Sequence, residues 1–239
     1  ALNELEVYVH EDLQIGDQLS APYSGCELDE YYNRLTNDVG EARAAADMAL
    51  YAYLTQQNAG YGRADLAQRA QALSKRILLS WARHGFRKQD GTVRTANDFC
   101  EGALNGEGAK GDVGLQIGRG MPFWVQAQDL LLAVGALDAS EHQELDSFLR
   151  QMDSLLSDSS NDWVTGAATE CVRYSNHHSW HLAAMLSIAR LLDDKGRFLD
   201  EAVGAGKELV PWTRQVEENI YGSGDTSRGC NSPPEWVEI

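Results

Sequence analysis

The chain is short of several features that mark common classes of protein. No stretch comes near the roughly 18 consecutive apolar residues that a membrane-spanning helix needs, so no membrane partner is expected. Lys and Arg number 20 against 36 Asp and Glu, and the formal charge is −16. Because phosphate contacts need clustered Lys and Arg, nucleic-acid binding is disfavoured. An anionic ligand would need a locally basic cleft to overcome the overall field.

Cysteine is scarce and widely spaced, with no CxxC pair among Cys26, Cys100, Cys171 and Cys230. This spacing argues against a zinc or iron–sulfur site. Two long-range disulfides in a secreted protein, in any of three connectivities, are favoured over four buried thiols in a cytosolic one. The opening ALNELEVYVHED has no initiator Met, basic region or apolar region, which indicates a mature secreted chain whose targeting segment has been removed.

The apolar period is helical almost everywhere, and strand signals are few. It predicts helices over about Tyr31–Tyr53, Leu66–Trp81, Met121–Ala136, Ser140–Leu156, His177–Asp193 and Arg197–Ile220. Within these, Pro122 suits a first turn, Ser140 an N-cap, and Pro211 a kink or break. The polar stretches between and after them are predicted loops: Gly85–Asp112, Ser157–Ser175 and Tyr221–Ile239.

The order of these elements predicts an all-α protein. With 239 residues the chain can bury a substantial core, and we take positions 1–239 as a single domain. Helix, short turn, helix and longer loop follow one another, which indicates successive antiparallel hairpins. Such hairpins, with functional loops at one end, predict an (α/α) toroid or an irregular bundle. A barrel of hairpins leaves a central cleft lined by helix N-termini and loops.

The segment RYSNHHSWH, from Arg173 to His181, combines an amide, three imidazoles, a cation, a phenol and an indole. It lies where a polar loop gives way to a helical pattern, and free N–H groups at a helix start favour anionic ligands. Asn176 and His177 could hold a carboxylate and stabilise charge that develops on it. The alternative is that Asn176 is only an N-cap and His177 a surface residue of the first turn.

The pair His177 and His181 has the i, i+4 spacing of a helical metal site. A HExxH protease needs Glu at the second position, where this chain has His178, and no third ligand is evident. Catalytic zinc is therefore disfavoured. We expect His181 and Trp180 to pack at the floor of a cleft or in the core.

A second candidate segment is GLQIGRGMPFW, residues 114–124. Glycine on both sides of Arg119 would let the backbone approach a ligand closely. Arg119, expected just before a helix start, offers a bidentate donor to a carboxylate. Gln116, Trp124 and Gln128 could bind sugar, with the indole as a stacking face. The alternative is a glycine turn with Arg119 in solvent.

Two acidic pairs, Asp193-Asp194 and Glu217-Glu218, would suit a glycoside hydrolase. Both lie near helix ends or on polar faces, so a solvated surface is the favoured interpretation. The sequence contains no GxSxG motif, Walker loop or dinucleotide-binding fingerprint.

The segment YSNHHSW, Tyr174–Trp180, resembles the Asn-His-x-x-Trp segment of the alginate lyase superfamily. Members of that superfamily are α/α toroids and include the alginate and glucuronan-type lyases of polysaccharide lyase families five and thirty-eight. Met121–Leu137 looks like a helix that precedes the site in such proteins. Val216–Asp225 is similar to the segment, written QI-x-DG, that follows the next helix. The resemblance covers about Leu115 to Asp225.

The resemblance implies β-elimination on a polysaccharide of uronic acids, with no metal or organic cofactor. The substrate carboxylate is neutralised, a base removes the C5 proton, and an acid protonates the departing O4. Asn176 and His177 match the family residues at the carboxylate, and His177 is also a candidate base. Arg119 is a candidate cationic contact from its own chemistry. The substrate contacts expected are Gln116, Trp124, Arg173, His178, Trp180 and Tyr221.

The sequence departs from the family pattern in two ways. The family's Tyr acid/base and a companion Arg lie beyond the QI-x-DG segment, whereas this sequence stops at Ile239. Tyr174 and Tyr221 are candidate substitutes. The chain also has too few hairpins to close a full toroid, so we expect an incomplete one, completed by a missing or cleaved C-terminal part that Cys230 could tether.

Three functions therefore stay open. The leading hypothesis is a lyase acting on an anionic polysaccharide such as alginate or glucuronan. The alternatives are an α/α glycoside hydrolase and a non-catalytic carbohydrate-binding helical protein. A lyase makes a product with a C4–C5 double bond that absorbs in the ultraviolet, a hydrolase makes only reducing ends, and a binding protein leaves the polymer unchanged.

Overall fold

The computed structural model describes residues 2–14, 40–58, 62–88, 90–99, 109–166 and 176–203. Over these residues the protein is all-α, as predicted. Its helices are α1 Leu2–Asp12, α2 Glu41–Gln57, α3 Ala64–His84, α4 Ala109–Ala133, α5 Ala139–Gly166, α6 Asn176–Leu191 and α7 Lys195–Val203. A 3₁₀ turn covers Ala96–Asp98. The only extended pairing in the described ranges is one antiparallel bridge, between Arg87 and Val93.

Helix α4 lies at the centre of the described helices. It packs along α2, α5 and α6, while α1 contacts α2 and α7 contacts α6. Helix α2 can approach closely because its buried face is largely alanine, including Ala42, Ala45 and Ala49. Helix α3 buries an amphipathic stripe with the helical period, Leu66, Ala70, Leu73 and Ile77.

The core is closed by a chain of aromatic rings between α3, α4 and α5. The ring of Phe86 lies 5.1 Å from Trp81, 6.3 Å from Phe99 and 6.1 Å from Phe148, centroid to centroid. Trp124 of α4 follows at 4.9 Å from Phe148. These rings are among the largest buried side chains, and each such ring supplies much of the apolar area removed from water.

Helix α4 begins at Ala109, so the predicted start at Met121 is wrong. Part of the predicted loop Gly85–Asp112 is also structured, since it holds the bridge, the 3₁₀ turn and the first residues of α4. Pro122 therefore lies inside the helix rather than in its first turn. The segment is rich in glycine, which disfavours an isolated helix, yet Val113 and Ile117 are buried by packing that outweighs this preference.

Helix α5 differs from prediction at both ends. Its N-cap is Asp138 rather than Ser140: the Asp138 carboxylate accepts from the N–H groups of Ser140 and Glu141, and Glu141 accepts from the Asp138 N–H. The helix continues to Gly166, so the predicted loop from Ser157 starts too early. Its serines do not break it because two of them, Ser159 and Ser160, are buried against neighbouring helices.

Helix α1 was not predicted, although Leu5, Val9 and Leu13 have the i, i+4, i+8 spacing that would have indicated it. The start predicted near Arg197 agrees with α7. Most of the predicted helix beyond Val203, with Pro211, lies outside the described residues. So do the first part of the predicted helix Tyr31–Tyr53 and all four cysteines, so the predicted disulfides stay a prediction.

Candidate functional site

Helix α6 begins at Asn176, close to the predicted start of the fifth helix. Positions 176 and 177 thus lie in its first turn, where backbone N–H groups have no partner within the helix. The side chains of Asn176 and His177 are outside the described part of the chain, as are Arg173, Tyr174 and Tyr221 entirely. The site is therefore built from the residues that surround this turn.

Two glycines of α4 set the distance between α4 and α6. A Cβ atom at Gly118 would lie 2.8 Å from the backbone oxygen of Trp180, and one at Gly114 would lie 2.3 Å from the ring of His181. At Gly118 the obstructing atom is backbone, so a larger residue would have to move a helix, and at Gly114 a larger residue would have to displace the His181 ring. Gly118, beside Arg119, hence serves a helix–helix contact. Because this segment is helical, it forms neither the backbone approach to a ligand that we predicted nor the alternative glycine turn.

Arg119 lies in the middle of α4, not before a helix start, and it reaches α6. Its guanidinium carbon is 6.0 Å from the centroid of the Trp180 ring, which is the outer range of a cation–π contact. Trp180 is 36% exposed, so the indole is open to solvent. Two of the predicted site residues, Arg119 and Trp180, thus lie next to each other and offer a cation and an aromatic face together.

Trp180 follows positions 176 and 177 by four and three residues. Residues at this spacing lie on the same side of a helix, one turn apart. The pair formed by Arg119 and Trp180 therefore adjoins the first turn of α6. This first turn, Arg119 and Trp180 constitute the candidate site.

The other two described aromatic residues of the motif are interior. His178 and His181 are fully buried, with ring centroids 6.4 Å apart. Burial, and after it the charge of the nearby His181, lower the pKa of His178 to about 3. His178 is therefore neutral near pH 7 and enclosed, whereas we predicted a substrate contact. Its place in the core is a correction to that prediction.

His181 belongs to a buried polar cluster that joins three helices. The Gly114 N–H of α4 donates to the Ser159 hydroxyl of α5 over 2.7 Å, and that hydroxyl is 3.2 Å from Nε2 of His181 in α6. Ser159 and His181 are both fully buried. The prediction that His181 packs in the interior is confirmed, whereas Trp180, for which we predicted the same, is 36% exposed. The cluster holds α6 in place beside α4.

The structure places two further predicted sugar-binding residues in the core. Trp124 is fully buried against Phe148, so its indole is no stacking face. Gln128 is buried too, and its amide nitrogen donates to Asp146 over 2.9 Å. Gln116 is half-buried with its carboxamide oxygen enclosed, so that oxygen is not offered to an external ligand.

The acidic pair Asp193-Asp194 has a structural role. Asp194 accepts a hydrogen bond from the backbone N–H of Arg197 over 3.0 Å and so caps the start of α7. Asp193 adopts the left-handed conformation, with φ of 50°, at the end of α6. Both line an open surface cavity of about 430 Å³ together with Lys195 and Phe198. The surface interpretation of this pair fits these contacts.

Sequence reasoning missed two exposed residues next to the candidate site. Phe123 is 37% exposed and Gln126 is exposed, four and seven residues after Arg119 on α4. Arg119, Phe123 and Gln126 are spaced by four and three residues, which would have indicated that they share one face of a helix. Because the predicted helix starts at Met121, it leaves Arg119 outside that face.

The described ranges contain no group of three or more His, Cys, Asp and Glu side chains that could hold a metal ion. None of the described helices is both long enough and apolar enough to cross a membrane.

Comparisons with known proteins returned nothing that matches this chain. No protein-family model matches it, and neither does any curated protein or solved structure. The described residues define the class, an all-α protein with a half-buried arginine against an exposed indole beside a helix start.

Proposed function

We propose that the protein is a polysaccharide lyase that cleaves a uronate polymer of the alginate or glucuronan type by β-elimination. The observation that carries the proposal is the position of Arg119 against the exposed ring of Trp180, next to the first turn of α6. This arrangement joins three groups suited to recognition of a uronate: a cation, an aromatic face and the backbone N–H groups of a helix start.

Arg119 and Trp180 would bind the sugar. A guanidinium pairs with a carboxylate through two parallel hydrogen bonds, which neutralises its charge. Neutralisation of the carboxylate makes the neighbouring C5 proton more acidic. Removal of this proton is the difficult step of the elimination. An indole face can pack against the apolar C–H face of a pyranose ring. Trp180 would thus orient the sugar whose carboxylate Arg119 holds.

Asn176 and His177 would carry the chemistry. The N-terminal turn of a helix favours negative charge through its free N–H groups and its dipole. A carboxylate drawn there by Arg119 would develop enolate-like charge when the C5 proton leaves, and the Asn176 amide would stabilise it. His177 is the candidate base that takes the proton, and Tyr174 or Tyr221 the candidate acid for O4.

The buried cluster of Gly114, Ser159 and His181 supports this proposal, because a catalytic turn needs a fixed position relative to its cation. We further propose that the helical hairpins belong to an (α/α) toroid and that the protein is secreted.

A non-catalytic carbohydrate-binding protein is the second candidate. Arg119 and Trp180 would suffice to bind an acidic sugar, and both His178 and His181 are enclosed in the core, so neither can act on a ligand. The glycoside hydrolase is less favoured because Asp194 is engaged as a helix cap.

The test is ultraviolet absorbance of unsaturated uronate while the purified protein is mixed with alginate and with glucuronan in turn. A steady rise is expected on one of them, and His177→Ala and Asn176→Ala should reduce its rate by about 100-fold or more. His84→Ala, at an exposed histidine that ends α3, is the control and should keep full activity.

Three results would contradict the lyase. New reducing ends with no ultraviolet product would indicate the hydrolase. Polymer bound but unchanged, with the folded state verified by circular dichroism, would indicate the binding protein. Loss of fold in both the His177 and Asn176 variants would favour a purely structural role for this turn.

A further inference from the structure

Helix α4 is exposed along one narrow strip. Around the middle of the helix most of the circumference is buried, by Ile117, Met121, Trp124, Val125 and Gln128 among others. Arg119, Phe123 and Gln126 are open to solvent in part or in full. Their spacing of four and three residues places them on one face of the helix.

This strip continues the candidate site. Arg119 is shared between the two, since its guanidinium faces the Trp180 ring. Phe123 lies one turn further along α4, so Arg119 stands between two exposed aromatic side chains, Trp180 at 36% and Phe123 at 37%. One exposed aromatic residue is ordinary on a protein surface, but two that flank a cation are a pattern that a ligand can use.

We infer that the strip of Arg119, Phe123 and Gln126 forms, with Trp180, an extended binding lane for a uronate polysaccharide chain. The class of ligand rests on the proposed function. In this lane Phe123 is the second stacking residue and holds a sugar next to the one on Trp180. Gln126 donates or accepts hydrogen bonds with sugar hydroxyls, and Arg119 pairs with a carboxylate.

The dimensions of the strip favour a polysaccharide over a protein partner. Seven residues of helix span about 10 Å, room for roughly two sugar residues. A stable protein interface buries about 1,000 Å² or more, for which four side chains are too few. Charge limits the strip at one end. The strip itself carries a cation and a neutral amide, and the next described carboxylate along the helix is Asp129, one turn beyond Gln126. Asp129 would repel a polyanion and so marks the end of the lane.

The experiment compares Phe123→Ala with Phe198→Ala. Phe198 is a matched control, since its exposure of 36% is close to the 37% of Phe123 but it lies on α7, in the wall of the surface cavity beside Asp193 and Asp194. Both variants are made in the His177→Ala background, so that polymer is not cleaved during the measurement. Retention on an alginate or glucuronan gel is measured by affinity electrophoresis, and Kd for oligosaccharides of increasing length by calorimetry.

Phe123→Ala is expected to weaken polymer binding by about tenfold, as for the loss of one aromatic contact, and Phe198→Ala to leave it unchanged. The loss should be absent for a single uronate and appear with longer oligosaccharides, because only these reach Phe123. Phe123→Leu keeps the apolar volume without the flat ring, and should weaken binding in a protein with an unaltered thermal midpoint.

Equal binding by Phe123→Ala, Phe123→Leu and the background protein would overturn the lane, and so would equal losses in the Phe123 and Phe198 variants. The inference also fails if the background protein does not bind uronate polymer. If binding depends on Phe123 but the native chain does not cleave the polymer, the binding lane is supported and the lyase proposal is wrong.

Discussion

Burial distinguishes the residues of the YSNHHSWH segment that the structure describes. His178 and His181 face the core, whereas Trp180 faces solvent and Arg119. On a helix His178 and His181 share one side and Trp180 points away from it, so a run of functional residue types divides into a structural part and a part that can meet a ligand. The chemistry that we propose for this segment therefore uses positions 176, 177 and 180 and not the two buried histidines.

The pKa of His178, lowered to about 3, predicts a pH dependence of stability. Between about pH 6.5 and pH 3 the unfolded chain binds a proton at this histidine and the folded chain does not. The free energy of unfolding should therefore fall as the pH falls through this range. His178→Gln should remove up to about 1.4 kcal/mol per pH unit from that slope, measured by urea unfolding at pH 7, 5.5 and 4.

The control for this prediction is His84→Gln at the exposed end of α3. It should leave the slope as in the native chain. A slope that is the same in the native chain and in His178→Gln would show that His178 is protonated in the folded state.

Asp12, the last residue of α1, predicts the opposite pH dependence. Burial, then Asp47 and Glu11, raise its pKa to about 7. The folded chain keeps this proton where the unfolded chain has lost it, so the free energy of unfolding should fall as the pH rises from about 4 to 7. Asp12→Asn cannot ionise and should be more stable than the native chain at pH 8 by about 2 kcal/mol.

The measurement is chemical unfolding of both chains at pH 5 and pH 8. The gain in Asp12→Asn should be much larger at pH 8. Asp90→Asn is the comparison, at an exposed carboxylate whose pKa is lowered mainly by the Thr92 hydroxyl, and it should give no such gain. An equal effect of Asp12→Asn at both pH values would indicate that Asp12 is ionised in the folded protein throughout.

At the scale of elements, the contact between α4 and α6 decides the geometry of the candidate site. It brings Arg119 to Trp180 because Gly114 and Gly118 let the two helices approach. Glycine in the middle of a helix costs about 1 kcal/mol relative to alanine, and this cost is offset by the packing that it permits.

Gly118→Ala should destabilise the protein and damage the site. The new Cβ would lie 2.8 Å from the Trp180 oxygen, a backbone atom that cannot turn away. We expect a loss of about 1–3 kcal/mol, since helices must separate to admit the methyl group. Gly196→Ala in α7 is the matched control. Its Cβ would lie 3.7 Å from the Asp194 carboxylate oxygen, an ordinary contact, and the free energy of unfolding should rise by up to about 1 kcal/mol.

Thermal or urea unfolding of the two alanine variants checks this prediction. Polymer binding should also weaken in Gly118→Ala under conditions where it is fully folded, because Trp180 shifts relative to Arg119. A Gly118→Ala protein that matches Gly196→Ala in stability would mean that the helices are further apart than described.

At the scale of the whole molecule, charge opposes the proposed substrate. A protein with a formal charge of −16 repels a polyanion at a distance, while Arg119 attracts it at contact. Salt screens the distant repulsion before it weakens the close contact, because the Debye length is about 30 Å at 0.01 M and about 8 Å at 0.15 M.

The KM for uronate polymer should therefore fall as ionic strength rises from about 0.01 M to 0.15 M. The KM is obtained from initial rates of formation of the ultraviolet-absorbing product at several NaCl concentrations and constant pH. A neutral oligosaccharide, added as a competitor, should show no such dependence. A KM that rises steadily with salt would mean that a basic cleft, larger than Arg119 alone, dominates the encounter.

The sequence by itself determined the all-α class and most helix positions, because the 3.6-residue apolar period is a local property that burial of one face enforces. It also located the start of α6, where a polar loop turns into that period. Capping was less well predicted, since Asp138 and Ser140 are both good N-caps and only the capping box with Glu141 separates them.

Only the tertiary structure decided which of the candidate residues face solvent. From the local sequence alone, a loop is favoured by four glycines, Gly111, Gly114, Gly118 and Gly120. The segment is nevertheless helical because α5 and α6 pack against it. Once that segment is helical, Trp124 and Gln128 turn inward while Arg119, Phe123 and Gln126 share the exposed strip. The direction of each side chain follows from contacts between residues far apart in sequence, which no local pattern contains.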